Sequence, residues 1–177
     1  MSDTAVVETV LEDARWDEEQ LSALADRAAR MTLSHFGLAP EGFEIALLAC
    51  DDARIAELNT TFRAKAAATN VLSWPAWDLA ADTEGDTPAL PEAGTADMPD
   101  SLGDIALSYD TCVSEARMQG KSFGDHITHL IVHSVLHLLG YDHIRDKDAA
   151  LMEETEVQIL AQLGVSNPYA LKADMQS

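Results

Sequence analysis

The run HSVLHLLGYDH spans residues 133–143 of a 177-residue chain. Residues four apart on an α-helix lie one turn apart on the same face, so a helix here aims the imidazoles of His133 and His137 at one point. Gly140 can take the left-handed backbone that ends a helix, and the turn it makes brings His143 back as a third ligand. Three nitrogens with a fourth position left open is the pattern of a catalytic zinc site, whereas a structural zinc is closed by four protein ligands. The expectation is one zinc ion in a hydrolytic centre, on a helix near the core.

The spacing H-x-x-x-H-x-x-G-x-x-H is that of the metzincin proteases with one departure: Ser134 stands where the protease carries its glutamate. A serine hydroxyl has no basic pKa near neutrality and cannot do that residue's work as general base, so peptide hydrolysis by that route is disfavoured. Three neutral imidazoles leave a metal its full double positive charge. Such a centre suits an anionic substrate, and a phosphodiester is the obvious one. Ser134 is expected either to crowd a neighbour slightly or to donate its hydroxyl to the carbonyl four residues back.

Outward from this run, the chain reads as a single α+β domain over 1–177, a small mixed sheet of about four strands packed with about five helices. TAVVETV (4–10) is β-branched and suits a first strand, and Asp17 opens a helix through about Ser34 with Leu21, Leu24, Ala25, Ala28 and Met31 on one stripe. FEIALLAC (43–50) reads as a strand, Asp51 or Asp52 caps a helix with Ile55, Leu58 and Phe62 inward, and Asn70 to Trp74 is a strand stopped by Pro75. Residues 78–100 form a long acidic loop interrupted by Pro88, Pro91 and Pro99, read either as a mobile lid or partner-contact segment near the site or, the simpler expectation, as a solvated insertion. A strand over 104–108, helices over 109–119, 123–139 and 148–163, and a loosely held tail after Pro168 complete the layout.

Composition narrows the function. With 47% hydrophobic residues the chain can bury one substantial core, and it has no apolar stretch long enough to span a membrane. The N-terminal MSDTAVVETV carries no signal-like core, which predicts a cytoplasmic protein. Cys50 and Cys112 lack CxxC spacing and read as free buried thiols. The formal charge of −20, with 11 lysines and arginines in all, leaves no basic stripe for gripping RNA over a long footprint. Nucleic-acid chemistry then needs either a local positive site, the metal with Arg63 and Lys65, or a partner that positions the substrate.

Together with two further segments, the histidine run resembles the signatures of the YbeY family of bacterial endoribonucleases. LNTTFRAKAAATNVLSWP (58–75) and LGDIALS (102–108) occur in the family's order, and the resemblance runs from about Phe43 to Leu163. It implies a single-strand-specific, metal-dependent endoribonuclease acting in 16S rRNA 3′-end maturation and ribosome quality control, with zinc on His133, His137 and His143 and a ribosomal or assembly-factor partner that positions the RNA. Arg63 falls at the family's arginine; its guanidinium can fork onto two phosphoryl oxygens and stays charged at any pH. Ser134 and Asn70 depart from the family's usual Gly and Asp, and Asn70 carries no catalytic role. Asp104 and Asp142 are expected to take the outer N–H of a ligand imidazole or handle protons, while His129 either extends the histidine line as a supporting donor or, the simpler expectation, is packed or solvated. Two other classes fit the same residues: a zinc hydrolase on a non-nucleic substrate, and an assembly factor whose metal is structural.

Overall fold

A computed structural model describes residues 5–63 and 68–169, the side chains of Phe62 and Arg63 excepted. The elements run β1 (Val7–Leu11), α1 (Glu18–His35), a 3₁₀ turn (Pro40–Gly42), β2 (Phe43–Cys50), α2 (Asp52–Arg63), β3 (Val71–Pro75), β4 (Asp100–Ser108), α3 (Tyr109–Met118), α4 (Phe123–Leu138) and α5 (Asp146–Gln162). The sheet order is β1-β2-β4-β3, with β1, β2 and β4 parallel and β3 antiparallel to β4. This is the expected α+β architecture of four mixed strands and five helices.

Local chemistry sets the boundaries. Asp17 caps α1 by accepting the Gln20 N–H at 3.1 Å, and Glu18 and Glu19 oppose the positive end of the helix dipole. Asp51 does the same for α2, accepting the Arg54 N–H at 2.8 Å. Along β2 the alternation is strict from Phe43 to Leu47, so Phe43, Ile45 and Leu47 enter the main core. Ile105 and Leu107 of β4 point to the same side, while Ala106 joins Cys50, Ile55 and Leu72 in a smaller cluster beneath α2.

β4 begins at Asp100, four residues before the expected start. Gly103 explains the difference: it sits at φ +135° where the register against β2 slips, and a Cβ there would lie 2.2 Å from the Trp74 carbonyl oxygen. β1, expected from residue 4, which lies outside the described residues, starts at Val7, and α5 starts at Asp146, ahead of the expected Asp148.

Helix α4 is the centre of the molecule, packed by α1, α3, α5 and the sheet. From His126 to Leu139 every residue is buried except His129, His133 and His137. The helix closes as the sequence predicts. Gly140 adopts φ +100°, its N–H reaches His137 O at 3.0 Å, and the Tyr141 N–H reaches Leu136 O at 3.0 Å, a Schellman closure with Tyr141 and Leu136 both in the core.

The acidic loop is not the solvated insertion expected of it. Arg145 donates to Ala81 O at 3.0 Å and Asp82 O at 3.1 Å, the Gly85 N–H reaches Asp148 at 2.8 Å, and the Lys147 N–H reaches Glu84 at 3.0 Å. A Cβ on Gly140 would meet the Leu79 carbonyl carbon at 2.7 Å. The loop is strapped onto the turn that carries His143. Its far end is tied as well, through Gly94 N–H to Gly42 O at 2.9 Å.

Candidate metal centre

The three open positions of α4, spaced four apart, form one stripe of imidazoles on an otherwise buried helix. His133 Nδ1 lies 3.1 Å from Glu156 Oε1, and His137 Nδ1 lies 3.2 Å from the Tyr141 carbonyl oxygen. A carbonyl only accepts, so Nδ1 of His137 carries the proton and its lone pair is on Nε2. The same logic at the carboxylate gives His133 a lone pair on Nε2. Both rings are thus held in the tautomer that a metal requires, with the inner nitrogen engaged by the protein.

His143 lies on the turn beyond Gly140, with its ring centroid 5.4 Å from that of His133 and its side chain 59% exposed. Asp142 accepts the His143 backbone N–H at 2.7 Å, while the ring Nδ1 stands 3.9 Å from the same carboxylate oxygen. Asp142 therefore shapes the turn and makes no short bond to the ring. Among the described residues no group of three or more His, Cys, Asp or Glu side chains is already arranged to hold a metal ion. The donor set and the tautomers nevertheless fit one, and the exposed His143 side chain has the freedom to rotate toward the other two.

Glu156 of α5 is the residue that sequence reasoning missed. It is 0% exposed, its Oε1 faces both His133 Nδ1 and His129 Nε2 at 3.1 Å, and its Oε2 accepts the Tyr169 hydroxyl at 2.8 Å. Burial pushes its pKa up, but the hydrogen bonds from His129 and His133 outweigh that and hold it below the usual carboxylate range. The one signal in the sequence is phase, since Met152, Glu156, Ile159 and Leu160 share the buried face of α5. Tyr169, within the stretch read as a loose tail, is held by this bond.

The remaining expected residues fall elsewhere. Asp104 is exposed on β4, one residue from Ile105 and therefore on the sheet face away from α4, so it cannot serve the imidazoles as expected. Arg63 is the last residue of α2; its side chain, and all of Lys65, lie outside the described residues. Ser134 is 1% exposed and its hydroxyl has no hydrogen-bond partner among the described residues, so the expected bond to the preceding turn is not made. Asn70 donates to Glu115 at 2.9 Å and accepts the Val71 N–H at 2.6 Å, which ties the start of β3 to α3. Glu115 in turn faces His126 Nε2 at 2.9 Å.

No helix among the described residues is long and apolar enough to cross a membrane. The chain was compared with known proteins. The family model described as Endoribonuclease YbeY matches residues 7–164. An Endoribonuclease YbeY of Ruegeria pomeroyi is 57% identical over 167 residues, covering 94% of this chain and 99% of that protein. Those of Cereibacter sphaeroides and Bartonella quintana are 54% and 42% identical, each over 93% of this chain and over 98% and 96% of their own lengths. The solution structure of a Thermotoga maritima protein shares the fold, with a TM-score of 0.55 and 20% identity over 95% of this chain and 92% of that one. With a family model spanning nearly the whole chain and relatives matched end to end, this chain belongs to the Endoribonuclease YbeY family.

Proposed function

We propose that this chain is a metal-dependent endoribonuclease that cleaves single-stranded RNA, with one zinc ion held by His133, His137 and His143. We further infer a cytoplasmic role in 16S rRNA 3′-end maturation and ribosome quality control, with a ribosomal or assembly-factor partner presenting the RNA. The observation that carries the reading is the pair of imidazoles one turn apart, each with Nδ1 taken by a protein acceptor and His143 5.4 Å from His133. The endoribonuclease relatives, matched over 92% or more of this chain, supply the substrate class.

When bound, the zinc would supply Lewis acidity and concentrated positive charge at the scissile phosphate. The protein's own share is position and proton placement. Glu156 and the Tyr141 carbonyl hold His133 and His137 with the ring lone pair on Nε2, so neither of these two rings has to change tautomer when the site loads. Ser134, buried behind the stripe, offers no base. Arg63 is assigned to the phosphoryl oxygens, where a planar guanidinium bonds two at once. Asp142 fixes the backbone at His143.

The test is cleavage of a single-stranded and a double-stranded RNA by the purified protein, with and without a chelator. The expected result is chelator-sensitive cleavage of the single strand alone. Hydrolysis of a nitrophenyl ester with intact RNA would overturn the reading. Arg63→Lys should keep metal and fold but lose rate, because a point charge cannot fork; an unchanged rate removes Arg63 from the site.

A further inference from the structure

Behind the histidine stripe stands a carboxylate that none of the sequence motifs includes. Glu156 is fully buried on α5, and its hydrogen-bond partners are the rings of His129 and His133 and the hydroxyl of Tyr169. An ionised carboxylate has acceptor capacity only, so the ring nitrogens that face it must donate. Oε1 thereby receives two N–H groups from one helix face, four residues apart, and Oε2 receives the phenol at 2.8 Å from the segment that follows α5.

We infer that Glu156 is the positioning residue of the metal centre: it locks His133 into the Nδ1–H tautomer and supplies the negative charge behind that ring, with Tyr169 clamping the carboxylate in place. The inference rests on the three-histidine reading and adds to it the group that makes one of those ligands competent. Neutral imidazole otherwise divides its proton between two nitrogens, and only one of the two forms offers Nε2 to a cation. A buried anion whose partners are two imidazoles and a phenol is also incompletely compensated. A cation on the far side of the His133 ring offsets it. By linkage, metal binding and the burial of Glu156 then strengthen each other by the same factor. His129, set on the same oxygen as His133, belongs to this support and not to the metal.

The experiment uses the full-length protein, stripped of metal and reloaded with zinc alone. Zinc affinity is measured by competition with a chromophoric chelator, and the His133 tautomer by long-range proton–nitrogen-15 correlation in the metal-free state. The wild-type ring should show the Nδ1–H pattern. Glu156→Gln should mix the two tautomers and weaken zinc by about 10- to 100-fold, the range found when such outer partners are removed. Tyr169→Phe, which leaves the charge and both imidazole bonds in place, should keep the tautomer and weaken zinc by less than Glu156→Gln does. An Nε2–H pattern in the wild-type metal-free protein would overturn the inference without any variant. So would zinc affinity and tautomer both unchanged in Glu156→Gln. His133→Ala separates this inference from the one beneath it: wild-type zinc affinity in that variant removes His133 from the ligand set, while lost affinity there with none lost in Glu156→Gln rejects only the role of Glu156.

Discussion

At the scale of single residues, the histidines were legible because a helix converts sequence spacing directly into direction. Four residues is one turn, and a glycine three beyond the last imidazole announced both the end of the helix and the return of His143. Glu156 was not legible in the same way. It pairs with His133 across 23 residues and between two helices, and in the sequence it is one acid in the run MEETE, residues 152–156. Ser134 is informative for the opposite reason. Its hydroxyl is buried in α4 with no partner among the described residues, which costs desolvation without a compensating bond. Ser134→Ala should therefore raise stability by about 1 kcal/mol and the thermal midpoint with it, helped by the better helix propensity of alanine. A lower midpoint by calorimetry would show that the hydroxyl is bonded after all.

At the scale of elements, periodicity set the helices and β2 closely, and failed where backbone contacts decide. The start of β4 was hidden because Pro99 read as a breaker of any regular element, yet Gly103, beside the slip in register against β2, lets the strand continue past Trp74. The acidic loop was misread for a related reason. Its attachment is made mostly through carbonyls and amides of Ala81, Asp82 and Gly85, which carry no side-chain signature, with the Glu84 carboxylate as the one loop side chain among these bonds. The strap grips Arg145 and abuts Gly140, the two ends of the turn that carries His143. Arg145→Ala removes two bonds to loop carbonyls, so amide exchange over residues 79–89 and 141–146 should speed up together, by mass spectrometry. Faster exchange confined to the loop would separate the strap from the metal turn.

At the scale of the whole molecule, the fold is a four-strand sheet with α4 laid against it, and the histidine stripe is that helix's one open line between His126 and Leu139. The charge of −20 works against this protein as a free RNA binder, since its field repels a polyanion over several ångströms. If Arg63 and Lys65 are the only cationic side chains that touch phosphates, the slope of log affinity against log salt for single-stranded RNA binding to the metal-free protein should be near −1.4, at about −0.7 per contact. A slope steeper than about −4 would reveal an extended basic footprint that the sequence does not contain.

The central claim is that three imidazoles on and beside α4 share one cation. Metal analysis of the wild-type chain and of His133→Ala, His137→Ala and His143→Ala, each purified and dialysed identically, tests it most directly. The account predicts one zinc per wild-type chain and much less than one in every variant. Full zinc retained by His143→Ala would contradict it.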